Sequence, residues 1–266
     1  MRSNAVIIPF YKPSLTTIEA IALQQCFKVL HKHPVIAIAP NKLDLSFVSE
    51  QYAFSDVIRF DDDFFNDIYG YNQLMISPLF YQSFASFSFI LIYQPDAFVF
   101  EDKLDYWCSQ GYDYIGAPWL DEKIHHNIFA QLKKSIKKSI HTKYNFKRSG
   151  FPSRHQFINT VGNGGFSLRR VNKFYELSIA FKDAANAYID HRNSSYNEDR
   201  FWSVEVNRKT RLLNIPDYKT ALHFSFETFP ENAYELTGHT LPFGCHAWDE
   251  FTDFWRPFFK EQGYKI

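Results

Sequence analysis

Short apolar runs that alternate with helical patterns constrain the fold of this chain more than any other feature of its sequence. Four runs have the length and composition of buried strands, and each ends at a proline or at polar side chains: Ala5–Ile8, Pro34–Ala39, Val57–Phe60 and Phe89–Tyr93. Helical patterns fill the intervals, including one long helix over 68–87, and the later segments 171–189 and 221–229 have the patterns of a helix and a strand. Because strand, helix and strand in succession build a parallel sheet, this order predicts an α/β fold with a mostly parallel central sheet flanked by helices.

The fourth run carries the first candidate binding residues, Gln94 and Asp96. Pro95 between them has a fixed φ and no backbone N–H, so the strand must stop there and leave both side chains in a loop. Ligands of open α/β sheets bind at the carboxyl ends of the strands. The position therefore predicts a ligand site, and an ordinary turn that contains an aspartate is the alternative.

Composition and charge exclude some classes of function. The 266 residues include 29 Phe, 16 Tyr and 5 Trp, which supply enough apolar volume for one large core. Lys plus Arg and Asp plus Glu both number 29, so no global charge favours nucleic acid as a partner. No linker-like segment divides the chain, and we expect a single domain over residues 1–266.

The cysteines and the apolar runs indicate where the protein works. Cys26, Cys108 and Cys245 are far apart and odd in number, which is typical of reduced thiols in a cytosolic protein. The N-terminal apolar run is too short for a signal peptide, and no stretch approaches the roughly 18 apolar residues of a spanning helix. We expect a soluble or peripheral protein on the cytoplasmic side of the membrane.

The segment 128–148 is basic and amphipathic. Its apolar residues fall on one helical face and its lysines on the other: Ile128, Phe129, Leu132, Ile136 and Ile140 against Lys133, Lys134, Lys137 and Lys138. Two interpretations remain open. The helix contacts a membrane surface or an anionic acceptor, or its apolar face packs on the core and its basic face is solvated.

Three further motifs follow at long spacing: Gly162-Asn163-Gly164-Gly165, Asn197-Glu198-Asp199 and a loop that contains His246. The glycines allow a ligand to approach the backbone closely, although their spacing is neither a dinucleotide fingerprint nor a P-loop. Glu198 and Asp199 fall in the first turn of a predicted helix. The helix dipole stabilises carboxylates there, which is a structural alternative to a catalytic role.

In this order, the motifs resemble those of glycosyltransferases with the GT-A fold, which is a Rossmann-like fold. Such enzymes have a D-x-D type loop at the end of a central strand, a glycine-rich loop, an x-E-D motif at a helix start and a histidine near the C-terminus. Longer strings, such as Leu-Ile-Tyr-Gln-x-Asp-Ala-Phe-Val-Phe and Gly-Asn-Gly-Gly-Phe-Ser-Leu-Arg, resemble an uncharacterised bacterial family related to GT-A enzymes. The resemblance spans residues 6 to about 248.

The resemblance implies a donor site and a metal site. The donor is a nucleotide diphosphate sugar, and the residues expected to bind it are Pro9, Gln94, Asp96, Gly164 and Gly165. A divalent metal, Mn²⁺ or Mg²⁺, would be held by Asp96 and His246 and would offset the charge of the departing diphosphate. Gln94 replaces the first aspartate of the family motif and offers a neutral oxygen, so Lys or Arg carrying the phosphate charge is the alternative.

The resemblance also implies a catalytic pair. Asp199 would be the base that takes the proton of the acceptor hydroxyl, and Glu198 would bind the acceptor, although the two roles are interchangeable. Trp119, Trp202 or Trp248 would stack on a sugar ring, and core packing is the alternative for each of them.

The expected function is sugar transfer with inversion, from a UDP-sugar to a glycan or lipid-linked glycan acceptor in bacterial surface polysaccharide synthesis. Residues 1–120 would form the donor half and residues 121–266 the acceptor half. A catalytically silent module that binds carbohydrate or a nucleotide sugar is an alternative on the same fold. A nucleotidyltransferase is a further alternative, but the sequence has no glycine- and lysine-rich loop near its N-terminus.

Overall fold

A six-stranded sheet in the order β3-β2-β1-β4-β11-β6 forms the centre of the molecule. The computed structural model describes residues 2–123 and 127–266. Its strands are β1 (Arg2–Pro9), β2 (Val35–Pro40), β3 (Asp56–Phe60), β4 (Phe87–Tyr93), β5 (Phe98–Val99), β6 (Tyr114–Gly116), β7 (Pro118–Trp119), β8 (Lys147–Arg148), β9 (Phe151–Pro152), β10 (Thr160–Val161), β11 (Phe166–Arg170), β12 (Ser225–Phe226) and β13 (Gly244–Cys245). Its helices are α1 (Thr17–Val29), α2 (Ser46–Ser49), α3 (Ile68–Ile76), α4 (Pro78–Ser83), α5 (Leu104–Ser109), α6 (Ile128–Lys143), α7 (Val171–Ala180), α8 (Lys182–Ile189), α9 (Glu198–Arg200), α10 (Tyr218–Leu222), α11 (Pro230–Leu236) and α12 (Thr252–Glu261).

The first four strands are parallel, which confirms the predicted α/β class. β1 pairs with β2 on one side and with β4 on the other, and β2 pairs with β3. β11 then runs antiparallel between β4 and β6. The four predicted apolar runs all form strands. Residues buried on both faces of a parallel sheet must be apolar, which accounts for β1, β2 and β4, whereas β3 lies at the edge of the sheet and is largely exposed.

Both faces of the sheet are covered by side chains that alternate along each strand. Ala5 and Ile7 of β1 join the core on one face, and Val6 and Ile8 join the core on the other. All four are at most 2% exposed. Each large apolar side chain buried in this way contributes roughly 1.5–3 kcal/mol.

Several predicted elements are wrong in extent. The predicted single helix over 68–87 is two helices, since Pro78 cannot continue α3, and the Ser77 side chain caps α4 instead. The predicted helix over 171–189 is likewise divided, at Phe181 between α7 and α8. The predicted strand over 221–229 is limited to β12, because the chain before it forms α10.

A small second sheet brings the C-terminal part of the chain back to the central one. β13 pairs with β5, with Gly244 opposite Val99 and Cys245 opposite Phe98. β12 lies on the other side of β13. Because β5 follows directly after Asp96, this pairing brings the residue after β13, His246, beside the end of β4. Among the described residues, no helix has the length and apolar character needed to cross a bilayer.

Candidate active site

The carboxyl ends of β1 and β4 open into a cleft of about 610 Å³. The two strands are neighbours, with Ile7 opposite Ile92, so the residues that follow them emerge at the same edge. Pro9, Tyr71, Gln94 and Asp96 all line this cleft. The structure therefore brings three of the residues predicted to bind a donor to one cavity, at the edge where open sheets bind ligands.

His246 lies directly against the two polar residues at the end of β4. Its Nε2 atom is 3.1 Å from Asp96 Oδ1 and 3.2 Å from Gln94 Oε1. Its Nδ1 atom is 3.3 Å from Glu227 Oε1. We call Gln94, Asp96, Glu227 and His246 the histidine cluster. All of its members except Glu227 were candidate site residues from the sequence.

The histidine cluster contains one imidazole between two carboxylates. Burial alone would lower the pKa of His246, but the carboxylates of Asp96 and Glu227 outweigh burial and raise its pKa to about 10. Burial would likewise raise the pKa of Asp96, but the charge of His246 lowers that pKa instead. At neutral pH the imidazole is therefore a cation that donates one N–H toward Asp96 and the other toward Glu227.

Two glycines separate this cluster from the carboxylates of α9. A Cβ atom on Gly165 would lie 1.9 Å from His246 Nε2, and a Cβ atom on Gly164 would lie 2.5 Å from Glu198 Oε1. Asn163 holds the loop in place, since its Oδ1 atom accepts hydrogen bonds from the backbone N–H groups of Gly165 and Phe166 at 2.6 and 3.0 Å. Glycine is required here for close approach on both sides of the loop.

Glu198 is fixed by a buried arginine. Arg169 donates to both carboxylate oxygens, with NH1 at 3.0 Å from Oε2 and NH2 at 2.8 Å from Oε1. Arg169 is fully buried and Glu198 is 3% exposed. Such a bidentate pair fixes the position and orientation of the whole carboxylate. The predicted dipole effect of the helix is therefore not what holds Glu198 in place.

Asp199 differs from Glu198 because, among the described residues, no cationic side chain donates a hydrogen bond to its carboxylate. Its Oδ1 atom accepts a hydrogen bond from the backbone N–H of Arg200 at 2.7 Å. Burial, followed by the negative charge of Glu198, raises its pKa from 3.8 to about 7. A carboxylate with this pKa can accept a proton and release it again near neutral pH. We call Glu198, Asp199 and Arg169 the carboxylate site.

The donor atoms of the histidine cluster have the spacing of metal ligands. Ligands at right angles around an ion with bonds of about 2.1–2.2 Å are about 3.0 Å apart, close to the separations of Asp96 and Gln94 from His246. Glu227 would then hold the second imidazole nitrogen, as outer carboxylates do for ligating histidines. Within residues 2–123 and 127–266, no group of three His, Cys, Asp or Glu side chains has the arrangement of a metal site. Asp96 and His246 therefore fit a divalent metal ion only if the neutral amide oxygen of Gln94 is the third protein ligand.

Two of the three tryptophans proposed for sugar stacking are core residues. Trp202 and Trp248 are at most 1% exposed, which leaves no face for a ligand. Trp119 is partly exposed and lies against the glycine loop, where a Cβ atom on Gly162 would be 2.5 Å from its ring. Only Trp119 remains a candidate for stacking.

Arg169 and Glu227 were missed because neither belongs to the short motifs that identified the other residues. Arg169 follows Leu168 in β11 and is fully buried, and a buried arginine requires a carboxylate partner. The need of a buried arginine for a carboxylate partner was the signal that could have identified Arg169. Glu227 has no comparable signal, since only the pairing of β12 with β13 brings it next to His246.

The fold is that of the GT-A class. The structure superposes on mouse xyloside xylosyltransferase 1 in its apo form with a TM-score of 0.52 and 11% identity, over 92% of this chain and 97% of that chain. It superposes on the galactosyltransferase LgtC in complex with donor and acceptor sugar analogues with a TM-score of 0.52 and 10% identity, over 91% of this chain and 86% of that chain. At this level of identity the similarity establishes the fold.

The sequence also matches one protein family. Residues 54–246, more than half of the chain, match the family described as "Protein of unknown function (DUF5672)", and the chain belongs to that family. The match includes Gln94, the glycine loop, the carboxylate site and His246. No curated protein matches the sequence.

Proposed function

We propose that this protein is a nucleotide-sugar-dependent glycosyltransferase. The observation that carries the proposal is the juxtaposition of the histidine cluster and the carboxylate site on the two sides of Gly164 and Gly165. A group-transfer enzyme needs one region that binds the leaving anion and one that accepts a proton from the nucleophile. The GT-A fold supports the assignment, since both superposed proteins are described as glycosyltransferases.

The donor is a UDP-sugar that lies in the cleft beside Pro9, Gln94 and Asp96. When bound, a divalent cation such as Mn²⁺ or Mg²⁺ supplies positive charge that stabilises the departing diphosphate. Asp96, His246 and Gln94 would hold it, and Glu227 would orient the imidazole of His246. Gly165 lets the donor approach His246 closely, because any side chain at that position would fill the space.

Asp199 acts as the base. Its carboxylate takes the proton of an acceptor hydroxyl while the acceptor oxygen forms a bond to the anomeric carbon. The bond from that carbon to the diphosphate oxygen breaks, and its electron pair leaves with the nucleoside diphosphate. A single displacement of this kind inverts the anomeric configuration. Glu198, held by Arg169, positions the acceptor, and Trp119 offers a face for its sugar ring.

The acceptor is a glycan or a lipid-linked glycan of bacterial surface polysaccharide synthesis, elongated on the cytoplasmic side of the membrane. Residues 121–266 supply most of the acceptor side and residues 1–120 most of the donor side. The positions of Pro9, Gln94 and Asp96 in the first half and of Asp199 in the second support this division.

Calorimetry with a panel of UDP- and GDP-sugars, with Mn²⁺ and with a chelator, tests the donor assignment. We expect one UDP-sugar to bind and to release UDP slowly in the absence of an acceptor. If no nucleotide sugar binds, the proposal is wrong. Binding without turnover on a broad acceptor panel would instead identify a silent binding module, and release of pyrophosphate would identify a nucleotidyltransferase.

A further inference from the structure

Helix α6 turns its apolar face away from the rest of the protein. The exposed fractions are 82% for Phe129, 57% for Leu132, 52% for Ile136 and 44% for Ile140. These residues form one stripe along the helix. The side chain of Ile128, which the sequence assigns to the same face, lies outside the described residues. The interpretation in which the apolar face packs on the core is therefore wrong.

Polar contacts on the opposite face fix this orientation. Lys134 pairs with Asp121, and the Lys138 ammonium donates to the backbone carbonyl of Asn159 at 2.7 Å. Near the end of the helix, Arg208 donates to the carbonyl of Thr142. Rotation of the helix about its axis would break these contacts, so they hold the apolar stripe in its outward orientation.

The segment that follows α6 extends the exposed apolar surface. Tyr144, Phe146 and Phe151 are 65%, 47% and 42% exposed. They flank the hairpin of β8 and β9, in which Lys147 and Arg148 are also exposed. We call the outward stripe of α6 and this hairpin the basic apolar surface.

The charge around this surface has one sign. Residues 127–156 contain no Asp or Glu, and their cations are Lys133, Lys134, Lys137, Lys138, Lys143, Lys147, Arg148 and Arg154. The accumulated charge is felt locally, since burial and the neighbouring charges of Lys137 and His141 lower the pKa of His155. Two copies of such a surface repel each other, which argues against a second copy of this chain as the occupant.

We propose that the basic apolar surface docks on an anionic phospholipid bilayer. The exposed Lys133 and Lys137 directly follow Leu132 and Ile136 of the stripe, and this combination complements the acyl boundary and the negative headgroups of a bilayer. A cleft of about 730 Å³ next to α6 is lined by Lys123, Lys137 and Lys219, and also by Asp121. Docking requires no donor or acceptor, so it stands apart from the proposed activity.

Sedimentation of the full chain with vesicles tests the proposal. The vesicles are phosphatidylcholine alone or phosphatidylcholine with phosphatidylglycerol, at low and at physiological salt. We expect binding to the anionic vesicles at least about tenfold stronger than to the neutral ones, and weaker binding as salt increases.

Two double variants separate the charges from the apolar stripe. Lys133→Glu with Lys137→Glu should weaken binding by at least about 25-fold, at roughly fivefold per lysine near the surface. Phe129→Ser with Ile136→Ser should weaken it by at least about tenfold through lost insertion. All four residues are exposed, so the variants should retain the wild-type melting temperature.

Matched variants elsewhere on the surface control for charge and hydrophobicity. Lys182→Glu with Lys260→Glu, and Leu79→Ser with Ile179→Ser, change exposed residues outside the basic apolar surface and should bind like wild type. Equal binding to neutral and anionic vesicles, or binding that the serine pair does not alter, overturns the proposal. So does displacement of the protein from anionic vesicles by poly-glutamate at micromolar concentration, which would indicate an acidic protein partner.

Discussion

The histidine cluster and the carboxylate site contain similar groups and differ in how their charges are balanced. In the histidine cluster one imidazolium lies between two carboxylates, at 3.1 Å from Asp96 and 3.3 Å from Glu227. In the carboxylate site Arg169 donates one hydrogen bond to each oxygen of Glu198, and among the described residues it donates none to Asp199. Each region has one cation and two carboxylates, but the cation of the histidine cluster lies against both of its carboxylates, whereas the cation of the carboxylate site pairs with Glu198 and not with Asp199.

This difference assigns distinct tasks to the two regions. In the histidine cluster the carboxylates of Asp96 and Glu227 are the groups that would attract a metal ion, and His246 would release the proton on Nε2 on binding it. A carboxylate with a pKa of about 7 is suited to moving a proton. Burial of the ionised Asp199 carboxylate lowers the free energy of unfolding, and such a loss of stability is common at functional sites.

The largest effect is expected for Asp199→Asn. Transfer should fall by about 10³-fold or more, because the amide cannot take a proton, while donor affinity measured by calorimetry should stay within about threefold. Asp190→Asn, an isosteric change at an exposed position, is the matched control and should leave both quantities unchanged. Equal loss of binding and transfer would mean that Asp199 holds the donor or the fold.

The same variant should be more stable than the wild type. The pKa of Asp199 is higher in the folded protein than its ordinary value of 3.8, so its ionised form costs stability increasingly from about pH 4 and in full above about pH 7. We expect the free energy of unfolding at pH 8 to rise by about 1–3 kcal/mol, and the gain to vanish near pH 4.

Removal of Arg169 tests whether the carboxylate site depends on its single cation. Arg169→Met should cost about 3–5 kcal/mol of unfolding free energy in a denaturant titration, because Glu198 would be left as a buried, unpaired charge. The neighbouring Arg170→Met is the matched control: Arg170 pairs with Asp113 at 2.7 Å but is about one-third exposed, and we expect about 1 kcal/mol or less. Similar costs for both variants would contradict the assigned role of Arg169.

The two glycines allow each region to be perturbed separately. Gly165→Ala places a Cβ atom 1.9 Å from His246 Nε2, and we expect donor affinity to fall by about 10–100-fold as the histidine cluster is displaced. Gly164→Ala places a Cβ atom 2.5 Å from Glu198 Oε1 and should reduce the transfer rate more than donor affinity. The same pattern of loss in both variants would mean that the two regions do not act separately.

The central sheet could be predicted from the sequence because three of its strands, β1, β2 and β4, are buried on both faces. Runs such as Ala5–Ile8 need no knowledge of their neighbours to be recognised as strands. The extents of helices were less predictable, as at Ser77, where capping and proline stereochemistry compete with a continuous apolar pattern. The outward orientation of α6 could not be predicted. Its amphipathic pattern shows that the helix has an apolar and a basic face, but does not show which of the two packs against the rest of the protein.

The residues of the site were predictable where they form motifs. Gln94, Asp96, Glu198, Asp199 and His246 were identified in this way, and the structure brings them to the two sides of one glycine loop. Their partners were harder to identify from the sequence, because Glu227 reaches His246 only through the second sheet and Arg169 lies in β11 outside the short motifs. The different environments of Glu198 and Asp199 follow from that missed arginine.

Direct titration of Asp199 tests the central claim of two differently balanced regions. The measurement is the carboxyl ¹³C chemical shift from pH 3 to pH 9, with the Asp199 signal assigned by its absence in Asp199→Asn. We predict a midpoint near pH 7, accompanied by a transfer rate that rises about tenfold per pH unit below that midpoint. A midpoint near pH 4, the ordinary value for an aspartate, would contradict the account.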